Sequence, residues 1–286
     1  MSEAAIPQSQ FVASAPEKFL PLERVSFFRR FWAGYSGAIL TIGAMVVVGV
    51  LWEIEARYLE LVPAFMIPPM SKILTKLWTD TINGTIPVQL AWSLKNYLIG
   101  YAIGAGLAIP LGLTMGTFRI VNKLLSPYVW ILYVLPRIAL LPIAIIALGF
   151  GPEAKIIFIA MACFFQVIIP TVAGVVTVPA SLLKVGRLFG GSRLQVYIKV
   201  VLPYALNFII TGLRLAARTG LMVMYSTELF GSVRGIATYS IKESNLFHSD
   251  GVFAGLIVVT ILAVTVVSVV DLLDEKLRPW KNEVSF

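Results

Sequence analysis

The run Asn96–Phe118, NYLIGYAIGAGLAIPLGLTMGTF, contains no charged residue. A hydrocarbon core of about 30 Å needs roughly 20 mostly apolar helical residues to cross it. This stretch meets that requirement between its flanking charges, Lys95 and Arg119. In lipid a lone spanning segment must satisfy its own backbone groups, which makes it a helix. The run also holds Gly100-x-x-x-Gly104 and Gly112-x-x-x-Gly116, spacings that let helices approach closely in a membrane. They mark a packing face without naming what packs on it.

The rest of the chain repeats the pattern. Its 286 residues are 58% hydrophobic and 13% charged, with a mean hydropathy of +0.86; soluble domains run roughly 45–50% apolar and about 25% charged. Disorder, a coiled coil and most water-soluble folds are excluded. The expected fold is all-α, a polytopic membrane protein of about six transmembrane helices. Phe31–Trp52 is the first span and Asn96–Phe118 the second. Lys123 to Glu153 reads as a broken third span, interrupted by Pro136 and Pro142, with Arg137 tethering the bend at the inner surface. The fourth lies between Lys155 and Lys184, the fifth runs from Pro203 to about Phe230, and the sixth is Gly251–Val270. Ser71–Trp78 has helical apolar spacing and is expected to lie on the membrane surface.

The domain expectation follows: a cytosolic tail over 1–30, a transmembrane domain over 31–275 containing a loop at 181–203, and a second tail over 276–286. Residues 1–30 lack the basic-then-apolar opening and small-residue cleavage site of a signal peptide. Placing both termini inside puts Lys18, Arg24, Arg29, Arg30, Arg119, Lys123, Lys184, Arg187, Arg193, Lys199, Lys276, Arg278 and Lys281 in inner segments. Outer segments then hold Arg57, Lys72, Lys76, Lys155, Arg234 and Lys242. The excess of inner basic residues supports that orientation by the positive-inside rule. It also accounts for the net charge of +8 without nucleic acid as a partner. Cys163 is the one cysteine and His248 the one histidine, too few and too far apart for a zinc site.

The loop between the fourth and fifth spans reads SLLKVGRLFGGSRLQVYIKVVLP, residues 181–203. Ser181 is expected to cap a short helix that Gly190-Gly191 ends, since glycine tolerates the left-handed conformation at a helix C-terminus. Ser192 and Gln195 have capping-box spacing, so a second helix starts at once and runs toward Pro203. The result is a helix–turn–helix with apolar Leu182, Val185 and Phe189, a surface suited to docking another protein.

This loop resembles the cytosolic motif of the inner-membrane subunits of binding-protein-dependent ATP-binding cassette (ABC) importers: Glu-Ala-Ala, three residues, Gly, nine residues, Ile-x-Leu-Pro. Gly190 is followed after nine residues by Val200-Val201-Leu202-Pro203, whereas Lys184, Val185 and Gly186 stand at the Glu-Ala-Ala positions. Ile67-Pro68-Pro69, Pro136-x-x-Ala139-x-x-Pro142, Thr211-Gly212-Leu213-Arg214 and Glu228-Leu229 look like the nitrate/sulfonate/taurine/bicarbonate branch of that family. The resemblance covers roughly Leu51 to Glu275. It implies a permease subunit in the bacterial inner membrane that forms the path for a small solute, such as nitrate, a sulfonate, taurine or bicarbonate. The partners it implies are a second permease copy, two cytosolic ABC ATPases that carry the ATP and Mg, and an extracytoplasmic binding protein. On this chain it implies no cofactor and no catalysis, with Lys184, Val185, Gly186, Phe189, Gly190, Ser192, Leu202 and Pro203 forming the ATPase-coupling loop. Consistent with that division of labour, no Gly-x-x-x-x-Gly-Lys-[Ser/Thr] phosphate loop occurs in the sequence.

Ionisable groups inside spans are costly and face protein or a water-filled path. Arg214 and Arg218, four apart on the fifth span, are candidates to line a path for an anion; the alternative is anchoring near the interface, where arginine snorkels. Glu228 is a third path candidate, or else pairs with Arg234 or caps the outer loop. A membrane enzyme would need converging catalytic groups that the spans lack. An ion-coupled secondary transporter, working without an ATPase, is the rival reading; such folds often show two related halves, and none is evident here.

Overall fold

Prolines and close glycine contacts set the boundaries and the packing in the computed structural model, which describes residues 27–59, 62–63, 65–230 and 232–277. Among these residues every regular element is helical. Contacts divide the chain into two units, Met1–Leu51 and Trp52–Phe286. The expected N-terminal tail up to residue 26, with Lys18 and Arg24, and the C-terminal residues from 278, with Arg278 and Lys281, lie outside the described residues.

Helix α1, Phe27–Ile54, covers the expected first span and runs from the first unit into the second. The second unit continues with α2 (Met70–Ile82), α3 (Thr85–Thr117), α4 (Arg119–Val134), α5 (Leu141–Leu148) and α6 (Pro152–Val176). Then come α7 (Ala180–Leu188), α8 (Arg193–Val196), α9 (Leu202–Leu229), α10 (Ile236–Asn245) and α11 (Ser249–Leu277). Among the described residues, four helices are long and apolar enough to cross a membrane: α3, α6, the rod Arg193–Leu229 and α11. The α4–α5 pair, bent by 81°, passes the same test when its two helices are taken together as one broken span. With 28 residues, α1 has the length for a further span.

Helix α6 is the centre of the second unit, packed between α3 and α9. The α3 glycines face it. A Cβ on Gly104 would stand 2.3 Å from the Ala160 carbonyl oxygen, and one on Gly116 2.5 Å from the Val175 Cβ. The Gly-x-x-x-Gly pairs therefore bring two helices of the same chain together rather than two copies. On the other side, a Cβ on Gly212 would meet the Val167 backbone at 3.0 Å. Tyr97 and Tyr101 on α3 donate their hydroxyls to the carbonyls of Ala217 and Leu213 on α9, each at 3.1 Å. The free thiol of Cys163 is buried in this core, 3.6 Å from the Ala216 carbonyl.

Three expectations change. Helix α3 begins at Thr85, well before Asn96, because Gln89 and Ser93 of its first turns bond to another segment of the bundle. The second loop helix does not stop at Pro203: α8 passes through a π turn, Tyr197–Val201, straight into α9. Proline has no N–H to give and crowds the carbonyl four residues back, and a widened turn just before it absorbs both effects. Ser181 is not a cap: it lies inside α7, whose N-cap is Pro179, with a fixed φ that already suits a helix start.

Candidate functional site

The Ala180–Val201 segment folds as two short helices around a tight turn. Gly190 has φ +75°, in the left-handed region, and donates to the Arg187 carbonyl at 2.9 Å. Gly191 donates to the Gly186 carbonyl at 3.1 Å. Together these bonds make the Schellman ending that glycine favours. Ser192 caps α8: its Oγ accepts from the Gln195 N–H at 3.3 Å, and the Gln195 side chain accepts from the Ser192 N–H at 2.8 Å. Gly186 lets α8 close onto α7, since a Cβ there would already sit 3.3 Å from Val196. Lys184, Val185, Pro203 and Ser192 are exposed, Leu202 half-buried, and Leu188 and Phe189 are 84% and 87% exposed. An apolar knob of this kind has nothing of its own to pack on. Between the loop and the ends of α3 and α6 lies a cavity of about 820 Å³ with Arg187 and Arg193 among its lining residues.

The charges inside the bundle divide by what they touch. The Arg214 guanidinium reaches Asp271 at 2.6 Å and Asp274 at 2.7 Å, both on α11, and Asp274 is buried. Asp274 lies sixty residues from Arg214 along the chain. Arg218 is exposed, so the two arginines four apart on one helix stand in different surroundings. Arg137 departs from expectation. It begins the 3-10 turn Arg137–Leu140 between α4 and α5, and its guanidinium carbon lies 5.4 Å from the Phe165 ring centre and 6.0 Å from that of Tyr133. Phe165 is close to the midpoint of α6. The arginine is thus held at mid-height by aromatic faces, not at the inner surface.

At the other end of α9, Glu228 is 2% exposed. It accepts from Ser93 Oγ at 2.7 Å and from the Ala237 N–H at 3.1 Å, while Ser93 Oγ accepts from the Ile236 N–H at 2.9 Å and Gln89 from the Gly235 N–H at 2.7 Å. The free N–H groups that open α10 are thereby satisfied from α3 and α9. Arg234 does not pair with Glu228; it lies over the Trp92 ring at 5.9 Å. Lys155, counted as an outer-loop charge, is buried and donates to Ser232 at 2.6 Å. Next to this, Tyr239 on α10 donates to Asp80 on α2 at 2.6 Å, and Lys76 reaches Asp80 at 3.1 Å and Glu243 at 3.4 Å. Burial, then the Asp80 carboxylate, push the Tyr239 hydroxyl well above its usual value. Desolvation pulls the Lys76 ammonium down, but the Asp80 and Glu243 carboxylates more than offset it, leaving it raised.

No cluster of three or more His, Cys, Asp or Glu able to hold a metal occurs among the described residues. What the bundle presents is a set of spans, a helix–turn–helix loop with an exposed apolar tip, and a bent helix pair. The family of binding-protein-dependent transport system inner membrane components matches residues 108–279, the stretch that holds the bent pair α4–α5, the loop and the helices α6, α9 and α11. The chain belongs to this family. It is similar to the taurine transport system permease protein of Escherichia coli (strain K12), 31% identical over 86% of this chain and 90% of that one. A putative aliphatic sulfonates transport permease protein of Bacillus subtilis (strain 168) is 31% identical over 81% of this chain and 84% of its own. The nitrate import permease protein of Leptolyngbya laminosa is 27% identical over 67% and 68%. The chain is therefore an inner-membrane permease of an ABC importer, of the nitrate/sulfonate/taurine branch.

Proposed function

We propose that this permease forms the translocation path for a small oxyanion, such as nitrate or a sulfonate, and couples it to a separate cytosolic ATPase through the loop at 181–203. The observation that carries the reading is the helix–turn–helix itself: two capped helices locked at Gly190, presenting Phe189 at 87% exposure. Exposed apolar residues on a rigid element mark a binding surface. A partner shifts a conformational equilibrium only through contacts that differ between its states, so the loop must sit differently in the ATPase groove when the spans face in and out. Lys184, Val185 and Phe189 contact the ATPase, Gly186, Gly190 and Ser192 shape the element, and Leu202 and Pro203 join it to α9.

The assembly is two permease copies, two ATPases carrying ATP and Mg, and an extracytoplasmic binding protein, with both permease termini cytosolic. The membrane domain spans 31–275, flanked by tails at 1–30 and 276–286. Of the charges read as lining a path, Arg214 and Glu228 act as holding points, because each has its own partners within the bundle. Arg218, exposed on α9, is the one left to face a solute. Cysteine cross-linking tests the coupling role. In a Cys163→Ala background, Phe189→Cys should cross-link to a cysteine in the groove of the co-expressed ATPase, and the yield should change when ATP is added. No cross-link in an assembled complex would refute the docking assignment.

A further inference from the structure

A charged group at the centre of a membrane is expensive unless something there uses it. The cations of this bundle can be compared on that basis. Arg214 is held by Asp271 and Asp274, and Lys155 by Ser232 and the Phe150 carbonyl. Arg137 has no carboxylate within ion-pair distance among the described residues, and its Nη1 is buried without a hydrogen-bond partner. It stands beside Phe165 near the midpoint of α6, on a turn that also touches α9, the helix carrying Arg218.

The backbone around it is as unusual as the charge. Leu135 and Pro136 leave the helical conformation after α4, Arg137–Leu140 forms a single 3-10 turn, and α5 leaves at 81°. Irregular backbone at membrane depth is tolerated where it is buried in protein or lines a water-filled cavity. Tyr133 and Phe165 place aromatic faces near the guanidinium at 6.0 and 5.4 Å, which fixes its position without using its N–H donors. A guanidinium carries five N–H donors in a planar fork that matches an oxyanion. A fixed fork, unspent donors and no neutralising carboxylate are the properties of an anion receptor.

We propose that Arg137 is the anion-recognising group of the translocation path, binding the solute's nitrate or sulfonate oxygens as it passes the bend. This rests on the reading of the permease as an oxyanion importer and names the residue that sets the charge it selects. The Tyr133 and Phe165 rings beside it carry no charge to pair with an ammonium at the solute's other end, so taurine and methanesulfonate should depend on it alike.

The test uses the full complex of permease, ATPases and binding protein in proteoliposomes, with nitrate, taurine and methanesulfonate as probes. For whichever probe the wild type imports, Arg137→Gln should lower uptake tenfold or more, and Arg137→Lys should restore a substantial part. Assembly and Tm should match the wild type in both variants. Wild-type uptake by Arg137→Gln overturns the proposal. So does equal loss in Arg137→Gln and Arg137→Lys accompanied by a fallen Tm or a lost second copy, which would make Arg137 a structural clamp or a partner for a carboxylate of the other permease. If the wild-type complex imports none of the three probes, the oxyanion reading itself fails, and this assignment falls with it.

Discussion

Glu228 is a buried carboxylate whose ligands are hydroxyl and amide donors from two other segments. Hydrogen bonds to a charged group contribute about 1.5–3 kcal/mol each when they replace water well. Gly235 makes the arrangement possible: its φ is +139°, and a Cβ there would fall 2.3 Å from the Glu228 carboxyl carbon. Gly235→Ala should therefore eject Glu228 from its seat and destabilise the protein about as much as Glu228→Ala does, by about 2–3 kcal/mol. Because both changes remove the same contacts, the double variant should cost little more than either one. Thermal unfolding of the purified protein measures all three, and additive losses would show that the two residues act separately.

Among the elements, the loop proposed to couple to the ATPase depends on one backbone conformation. Gly190 has open space where a Cβ would go, so a side chain there meets no neighbour and the penalty is conformational alone. Forcing a β-branched residue into φ +75° costs roughly 1–2 kcal/mol and re-aims α8. Gly190→Val should insert in the membrane yet lose solute-stimulated ATP hydrolysis, whereas Gly190→Asn, which visits that conformation readily, should retain most of it. Equal hydrolysis in both variants would detach the turn from coupling. The α9–α11 clamp gives a second contrast. Asp274 is buried and Asp271 is 44% exposed. Asp271→Asn should cost about 0–1 kcal/mol, and Asp274→Asn about 3 kcal/mol, as expected when a buried ion pair loses one partner. Thermal unfolding ranks them, and a larger loss for Asp271→Asn would reverse the assignment.

The spans are legible because each is a long apolar run with few charges, and the loop because a capping box and paired glycines are local signals spanning four residues or fewer. The polar contacts were not legible, because they join residues far apart in the chain: Ser93 and Glu228 are separated by 135 positions and Asp80 and Tyr239 by 159. No local pattern marks Asp271 and Asp274 as partners of Arg214, and Lys155 looks like any loop lysine until Ser232 is beside it. Ser181 misled because a serine before an apolar run resembles a cap even when a proline two residues earlier already starts the helix. The α2–α10 cluster also carries a whole-molecule consequence. Tyr239 and Lys76 both hold their protons more tightly when folded than their usual values of 10.0 and 10.5. Their contribution is complete below those values and is lost as pH rises through the raised folded values. Stability should be insensitive to them at neutral pH and fall above about pH 10, less steeply in Tyr239→Phe; an identical alkaline fall in that variant would exclude the tyrosine.

Under the proposed function, this permease moves solute only when a separate ATPase drives it. Uptake of labelled taurine or nitrate into proteoliposomes tests that most directly, comparing the permease alone, under an imposed proton or sodium gradient, with the permease assembled with its ATPase and binding protein. The permease alone should show no uptake, and uptake by the complex should stop when ATP is replaced by a non-hydrolysable analogue. Gradient-driven uptake by the permease alone would contradict that function and make the protein a secondary transporter.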